Sequence, residues 1–425
     1  MMYKKTLIIS NRVISTTDNN GKTLYSLFNN IPKESLGQLY FSNNLPEIEG
    51  YNYFQLSDID ILLGKLRKSR RGKKVTVERN SNFEMQRRIP LHLKVRKNDI
   101  TILVRELLWK NSWKSKQLDL WLDDFKPECI FLMAGDSLFV YDICSYIATK
   151  YRCSLITYIT DDYVLPRKKE SIIAKHRREK VYEKLNECIQ RSDAFFTISE
   201  RMKKTYKKLF KTDSQIIFNN SELVNKELLY DESKFNHEIV LTYAGSLYYG
   251  RDRLLTKLAI EIERYNKSHK KAKAILFIYS NAQPDRSFIK SLSNTKSGFY
   301  KGALDNEELR KKLNSSNILV FVESFDEDQI EKTRLSFSTK IPEYMSAKKC
   351  ILAIGPQNIG SMDALRNASL CIYNEDDIYR TLERILDSYE LRIEYANKSF
   401  KQYNNYKKLN EAGRKKLLNI LTKNL

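Results

Sequence analysis

The stretch Arg334-Leu-Ser-Phe-Ser-Thr-Lys340-Ile-Pro-Glu343-Tyr-Met-Ser-Ala-Lys348-Lys-Cys-Ile-Leu-Ala-Ile-Gly355-Pro356 reads as loop, helical turn, buried strand and turn. The short apolar run from Cys350 to Ile354, closed by Gly355-Pro356, has the length and composition of a core strand. Before it, Ser336, Ser338 and Thr339 lead into Lys340 at the start of a helix. Hydroxyls, backbone N–H groups and an ammonium at a helix N-terminus suit an anionic group such as a diphosphate. Glu343, just inside that helix, offers a carboxylate to a pair of vicinal hydroxyls, as on ribose. An ordinary capped helix leading into a core strand has the same local pattern. The rest of the chain decides between the two.

At 425 residues the chain has room for two domains of ordinary size. No repeat of solenoid period is visible. The apolar run after Met1 is too short for a signal peptide, and no run approaches the roughly 18 residues of a membrane span. Six scattered cysteines without a CxxC pair read as buried thiols of a reducing cytosol. The four histidines are far apart and suggest no metal cluster. The net charge of +22 is unevenly spread. Residues 65–97 carry thirteen Lys and Arg against two acids, Glu78 and Glu84. Beside Leu62, Leu63 and Leu66, that charge suits anionic lipid headgroups. Solvated lysines are the plain alternative. No helix-turn-helix, zinc or RRM signal accompanies the charge, so nucleic acid is not the expected partner.

In the first half, apolar strands alternate with helical patterns. Lys5–Ser10 reads as the first strand, and Leu36–Phe41 and Tyr53–Leu56 as the next. The Gly21-Lys22-Thr23 triplet ends like a phosphate-binding P-loop, but Thr16 holds the position of its first glycine. Gly21 is instead expected in a strand-to-helix turn or in a plain loop. Leu103–Leu122 has a helical pattern interrupted by polar residues, with Trp109, Trp113 and Trp121 expected in the core and a membrane-interface belt as the alternative. Pro127–Ala134 and Ser154–Ile159 are strands ending at Gly135-Asp136 and at Thr160-Asp161-Asp162. Such alternation predicts a doubly wound parallel sheet, whose ligands sit at the carboxyl ends of strands. Asp161 and Asp162 fall there. Asp58-Ile-Asp60 spells a metal-binding DxD pair but follows no nucleotide-binding pattern, and reads as chance.

A second alternating set begins near Glu238. The strand Ile239–Ala244 is followed by the glycine-bearing turn Gly245-Ser-Leu-Tyr-Tyr-Gly250, then Arg251 and an apolar-faced helix. The planar fork of Arg251 suits bidentate contact with phosphate. Ala274–Tyr279, Phe299–Gly302, Ile318–Val322 and Leu370–Tyr373 complete the strands, and a basic helical tail starts at Ile385.

These segments together resemble GT-B glycosyltransferases, in particular the family-4-like enzymes of bacterial capsule and exopolysaccharide clusters. Ser338, Lys340, Glu343 and Tyr344 match that family's nucleotide-sugar stretch, and Ile351, Leu352 and Ala353 its strand. Lys348 and Cys350 stand where the family has glycine and proline. Arg191-Ser-Asp-Ala-Phe-Phe-Thr-Ile-Ser-Glu200-Arg-Met and Gln215-Ile-Ile-Phe-Asn219-Asn220 match two further segments.

The resemblance implies an α/β fold of two doubly wound Rossmann-like domains facing across a cleft. The first spans residues 1–225, the second 226–385, and C-terminal helices in 386–425 cross back to the first. It implies transfer of a sugar from a UDP- or GDP-linked donor to a lipid-linked or polysaccharide acceptor, without metal or further cofactor. The protein would be cytoplasmic, and peripheral on the inner membrane face through its basic segment. Donor binding falls to Gly21, Gly245, Arg251, Ser338, Thr339, Lys340 and Glu343. One departure matters. The family's retaining members carry two glutamates eight positions apart, and the first position here is Leu335. Glu323, Glu327 and Glu331 are alternatives on the same segment. An inverting reaction would need a general base, for which Asp161 or Asp162 is the candidate. A catalytically silent subunit that supports a partner transferase is the other reading of the missing glutamate.

Overall fold

The computed structural model describes residues 2–16, 19–67, 71–77, 99–219, 238–269 and 273–423. The chain forms two units, Met1–Asn219 with Glu411–Leu425, and Asn220–Asn410.

The first unit is built on strands β1 (Thr6–Ser10), β2 (Leu36–Tyr40), β3 (Asn52–Gln55), β4 (Lys73–Val75), β5 (Cys129–Met133), β6 (Ser154–Ile159), β7 (Ala194–Thr197) and β8 (Gln215–Ile216). Their order across the sheet is β4-β3-β2-β1-β5-β6-β7-β8. All neighbours are parallel except β4, which runs antiparallel along β3. Strands β1, β2 and β5 are buried at every residue, which explains their near-continuous apolar sequences. The connecting helices are α1 (Asn19–Phe28), α2 (Asp58–Arg67), α3 (Asp99–Trp109), α4 (Lys116–Phe125), α5 (Leu138–Lys150), α6 (Ile172–Arg191) and α7 (Glu200–Phe210). The chain starts mid-sheet, winds out through β2 to β4, then returns to the other side of β1. The winding direction therefore reverses between β1 and β5, where doubly wound sheets hold ligands.

Two expectations are corrected here. Leu103–Leu122 is not one helical stretch but the end of α3 and most of α4. Asn111 takes a left-handed φ of 59°, and Ser115 caps α4 by accepting the Leu118 N–H at 3.2 Å. The three tryptophans are buried as expected, Trp109 stacking on Phe139 at 3.7 Å between ring centres. Gly21 lies inside α1 rather than in a turn before it. A Cβ there would stand 2.7 Å from both the Val13 carbonyl oxygen and the Ser15 Cβ, so glycine lets the helix press onto the loop that precedes it. Of the basic segment, 68–70 and 78–97 lie outside the described residues; the described part contributes the end of α2 and the edge strand β4.

The second unit has strands β9 (Glu238–Ala244), β10 (Lys273–Tyr279), β11 (Gly298–Gly302), β12 (Ile318–Val322), β13 (Cys350–Ile354) and β14 (Leu370–Ile372). They lie in the all-parallel order β11-β10-β9-β12-β13-β14. Helices α8 (Arg251–Ser268), α9 (Arg286–Ser293), α10 (Asn306–Asn314), α11 (Glu327–Thr333), α12 (Lys340–Ser346), α13 (Gly360–Leu365), α14 (Ile378–Asp387) and α15 (Tyr389–Leu421) complete the chain. Helix α8 buries Leu254, Leu255, Leu258, Ala259 and Ile262 against β9, β10 and β12 side chains such as Leu241, Leu276 and Val320. The reversal of winding falls between β9 and β12. The last turns of α15 pack within the first unit. Arg414 donates to the Ser26 carbonyl at 2.7 Å and to the Phe218 carbonyl at 3.0 Å.

All six cysteines are free thiols. Among the described residues no helix is long and apolar enough to cross a membrane, and no cluster of His, Cys, Asp or Glu is arranged to hold a metal ion. Asp58 and Asp60 instead have structural tasks. Asp58 accepts from Arg105 at 2.8 Å and from the Trp109 indole at 2.6 Å. Asp60 accepts the Ser57 N–H at 2.8 Å, a capping box at the start of α2.

Candidate functional site

At the switch point of the second sheet, the chain leaves β9 through Gly245–Gly250 and enters α8 at Arg251. The Gly245 N–H donates to the Tyr279 carbonyl at 3.1 Å, closing the end of β9 onto β10. Gly250, at φ 76°, caps α8 in the left-handed conformation. Arg251 then reaches sideways to the end of β12. Its Nε donates to the Val322 carbonyl at 3.1 Å and its Nη2 to Glu323 Oε2 at 2.6 Å. The two side chains are only 15% and 6% exposed. Burial pushes the Glu323 carboxyl above its ordinary range, and the guanidinium pulls the other way. Nη1 of Arg251 has no hydrogen bond among the described residues, so one end of the fork remains for an outside acceptor.

A second element converges on the same strand ends. Tyr344 of α12 is buried, and its hydroxyl accepts from the Ala244 N–H at 2.9 Å and donates to the Ala244 carbonyl at 3.3 Å. That contact ties α12 to the last residue of β9. One turn earlier, Lys340 Nζ meets Glu343 Oε2 at 3.1 Å, with the side chains 30% and 14% exposed. The sequence predicts free backbone N–H groups in front of Lys340, and the structure corrects this. The Lys340 N–H donates to Ser338 Oγ at 3.3 Å, the Ile341 N–H to the Ser338 carbonyl at 3.0 Å, and the Ser338 N–H to Ser361 Oγ at 3.2 Å. Thr339 occupies the N-cap position without a side-chain capping bond. The cationic side chains, rather than the amides around Ser338, are what this loop can present to an anion.

Gly245, Arg251, Ser338, Thr339, Lys340 and Glu343 thus belong to one end of the second sheet, whereas Gly21 packs inside the first unit. Leu335, at the position of the missing glutamate, is 3% exposed. Of the alternative carboxylates, Glu323 is the partner of Arg251, while Glu327 opens α11 on the surface. The sequence reading missed the pairing of Glu323 with Arg251. The signal present was a lone carboxylate ending an otherwise apolar strand, which calls for a partner.

In the first unit, Asp162 Oδ1 accepts from the Val164 N–H and the Leu165 N–H, each at 3.1 Å, and from the Tyr206 hydroxyl at 3.2 Å. It is 4% exposed and anchors its loop. Asp161 is half-buried and takes the Thr160 hydroxyl at 3.3 Å and the Tyr163 hydroxyl at 3.4 Å. Of the pair, Asp161 is the less buried.

The sequence matches no family model and no curated protein. Solved structures do match it along their whole length. Anabaena HepE in complex with UDP is 10% identical, with 97% of this chain and 99% of that chain covered and a TM-score of 0.58. The Burkholderia xenovorans UDP-forming α,α-trehalose-phosphate synthase in complex with glucose-6-phosphate is 10% identical, with 98% and 100% covered and a TM-score of 0.58. The E. coli trehalose-6-phosphate structure bound with UDP-2-fluoro glucose is 12% identical, with 99% of each chain covered and a TM-score of 0.59. At such identities the likeness shows the fold, two Rossmann-like units of the GT-B type.

Proposed function

We propose that the protein is a glycosyltransferase that moves a sugar from a nucleoside-diphosphate donor to a lipid-linked saccharide acceptor in bacterial cell-surface polysaccharide synthesis. The observation that carries this reading is Arg251, seated at the switch point of the second sheet with Nη1 left for an anion, while Tyr344 tethers the helix that carries Lys340 and Glu343 to the end of β9. In this reading Arg251 and Lys340 stabilise the charge that develops on the leaving nucleoside diphosphate. Lys340 exchanges its carboxylate partner for phosphate, which frees Glu343 for the ribose hydroxyls. UDP and GDP donors both fit this chemistry, and no step of it calls on a metal ion. Asp161 is the proposed general base for an inverting reaction.

Melting temperature with a panel of UDP-, GDP- and ADP-sugars tests the reading, because a ligand that binds only the native state raises it. One donor is expected to shift wild type by several degrees and Lys340→Ala by much less. If no nucleotide sugar shifts wild type, the reading fails.

The catalytically silent alternative draws on Leu335, whose burial leaves no carboxylate at the position of the family's first glutamate. Donor binding without hydrolysis or transfer would favour it. The proposed acceptor side further includes an anionic membrane surface. Support comes from exposed apolar side chains on α2 and α3, among them Leu62, Leu63, Leu103 and Leu107, which flank the basic residues 65–97 in the sequence. Sedimentation with anionic liposomes is expected and should fall when Lys73 and Lys74 with neighbouring basic residues are neutralised; unchanged sedimentation would remove the membrane from the proposal.

A further inference from the structure

The turn between β9 and α8 holds Tyr248 and Tyr249, 61% and 52% exposed, the most exposed aromatic rings among the described residues. Their ring centres are 6.5 Å apart at 63°, so they form an open corner. Neither ring belongs to a buried cluster, and neither hydroxyl has a hydrogen-bond partner among the described residues. Tyr249 also takes a left-handed φ of 69°, a conformation that a bulky side chain disfavours and that glycine or asparagine accepts readily. A strained, exposed aromatic residue contributes nothing evident to folding. Two cations flank its ring: the Arg251 guanidinium lies 5.7 Å from the ring centre and Lys332 Nζ 6.0 Å.

We propose that Tyr248 and Tyr249 form the stacking platform for the sugar ring carried by the nucleoside diphosphate. This rests on the reading that Arg251 meets the diphosphate. A phosphate on the guanidinium lies within one sugar's width of the Tyr249 ring, and the group next to it along the donor is joined through a single glycosidic oxygen. A pyranose presents an apolar C–H face that packs on an aromatic plane, with hydroxyls at its rim. Lys332 stands where such a hydroxyl emerges. A nucleobase also stacks on aromatic rings, and the experiment separates the two.

Affinities for UDP and UDP-glucose, and for GDP and GDP-mannose, are measured on wild type and on Tyr248→Ala, Tyr249→Ala, Tyr249→Phe and Tyr249→Asn. Tyr249→Ala should weaken the sugar nucleotide about 3- to 10-fold, the worth of one aromatic contact, and leave the free diphosphate unchanged. Tyr248→Ala should do the same more weakly, and Tyr249→Phe should bind as wild type. Tyr249→Asn should lose the sugar as the alanine variant does while melting about 1–2 °C higher, because the backbone strain is relieved. Equal losses for diphosphate and sugar nucleotide would assign the rings to the nucleoside and overturn the proposal, as would variants indistinguishable from wild type. If wild type binds none of the four nucleotides, the underlying reading of Arg251 fails and this proposal fails with it.

Discussion

Both sheets reverse their winding beside an inner first strand, but they use their switch points differently. Between β1 and β5 the polar side chains hold their own loops. The buried Gln38 amide donates to Ser10 Oγ at 2.9 Å and to the Arg12 carbonyl at 3.0 Å, and accepts the Ile14 N–H at 3.0 Å. Arg177 donates to the Asp136 carbonyl, and Glu106 accepts the Leu138 N–H at 3.2 Å. Between β9 and β12 a guanidinium is fixed along one edge and left open at Nη1, with two exposed aromatic rings beside it. A parallel sheet that reverses its winding always makes a crevice at strand ends; the side chains there decide whether it is closed by the protein itself or offered to a ligand.

The sharpest way to break this contrast is to remove Arg251. Arg251→Ala should weaken nucleotide binding by about 100-fold, as loss of a charge-assisted anion contact does. It should also destabilise the second unit by about 3–5 kcal/mol, because Glu323 is left buried without a counter-charge. Pairing it with Glu323→Leu should return most of the stability and none of the binding. Thermal unfolding and nucleotide titration of the single and double variants separate the two effects. Recovery of binding in the double variant would show that the arginine serves the fold alone.

The aspartates of the first unit give a second, smaller contrast. Asp162→Ala removes the acceptor of two backbone N–H groups and the buried Tyr206 hydroxyl. It should cost about 1–3 kcal/mol in denaturant unfolding, whereas Asp161→Ala should cost less than about 1 kcal/mol. If Asp161 is the base, turnover falls in Asp161→Ala at unchanged donor affinity. Full turnover in that variant removes it from the chemistry.

The smallest effect concerns pH. Burial raises the folded-state pKa of Glu323 above its unfolded value, so the folded protein holds that proton to higher pH than the unfolded chain. The sign follows: the stability this group contributes is present below the unfolded pKa and is lost as pH rises through the folded value. The stability of wild type relative to Glu323→Gln should therefore rise as pH falls from neutral toward about 4.5, by at most about 1.4 kcal/mol per unit. A flat difference would mean that Arg251 fully cancels the burial.

Much of the fold was legible because its signals are local. Ser199 and Asp305, of the residue types that favour N-cap positions, accept the Met202 N–H at 3.1 Å and the Glu308 N–H at 2.8 Å. The alternation of strands and helices announced a parallel sheet. Misreadings arose where packing overrode local pattern. Gly21 looked like a turn residue and is a helical residue in close contact with the preceding loop. Leu103–Leu122 kept helical spacing across a break, because the aromatic side chains on both sides face the core.

The sequence alone determined the strand and helix segments, their alternation, and the placement of Arg251 and Lys340 at helix starts, since these depend on neighbouring residues. Only the tertiary structure decided which charges meet. Arg251 and Glu323 are 72 positions apart, and they touch because β9 and β12 pair across the reversal of winding. It also decided that Ser338 bonds the Lys340 N–H in its own loop, and that Tyr249 stands strained in solvent beside a guanidinium. The physical reason is one of range. Helix and strand propensities act over a few residues, whereas ion pairing and burial follow from which strand ends the crossovers bring together.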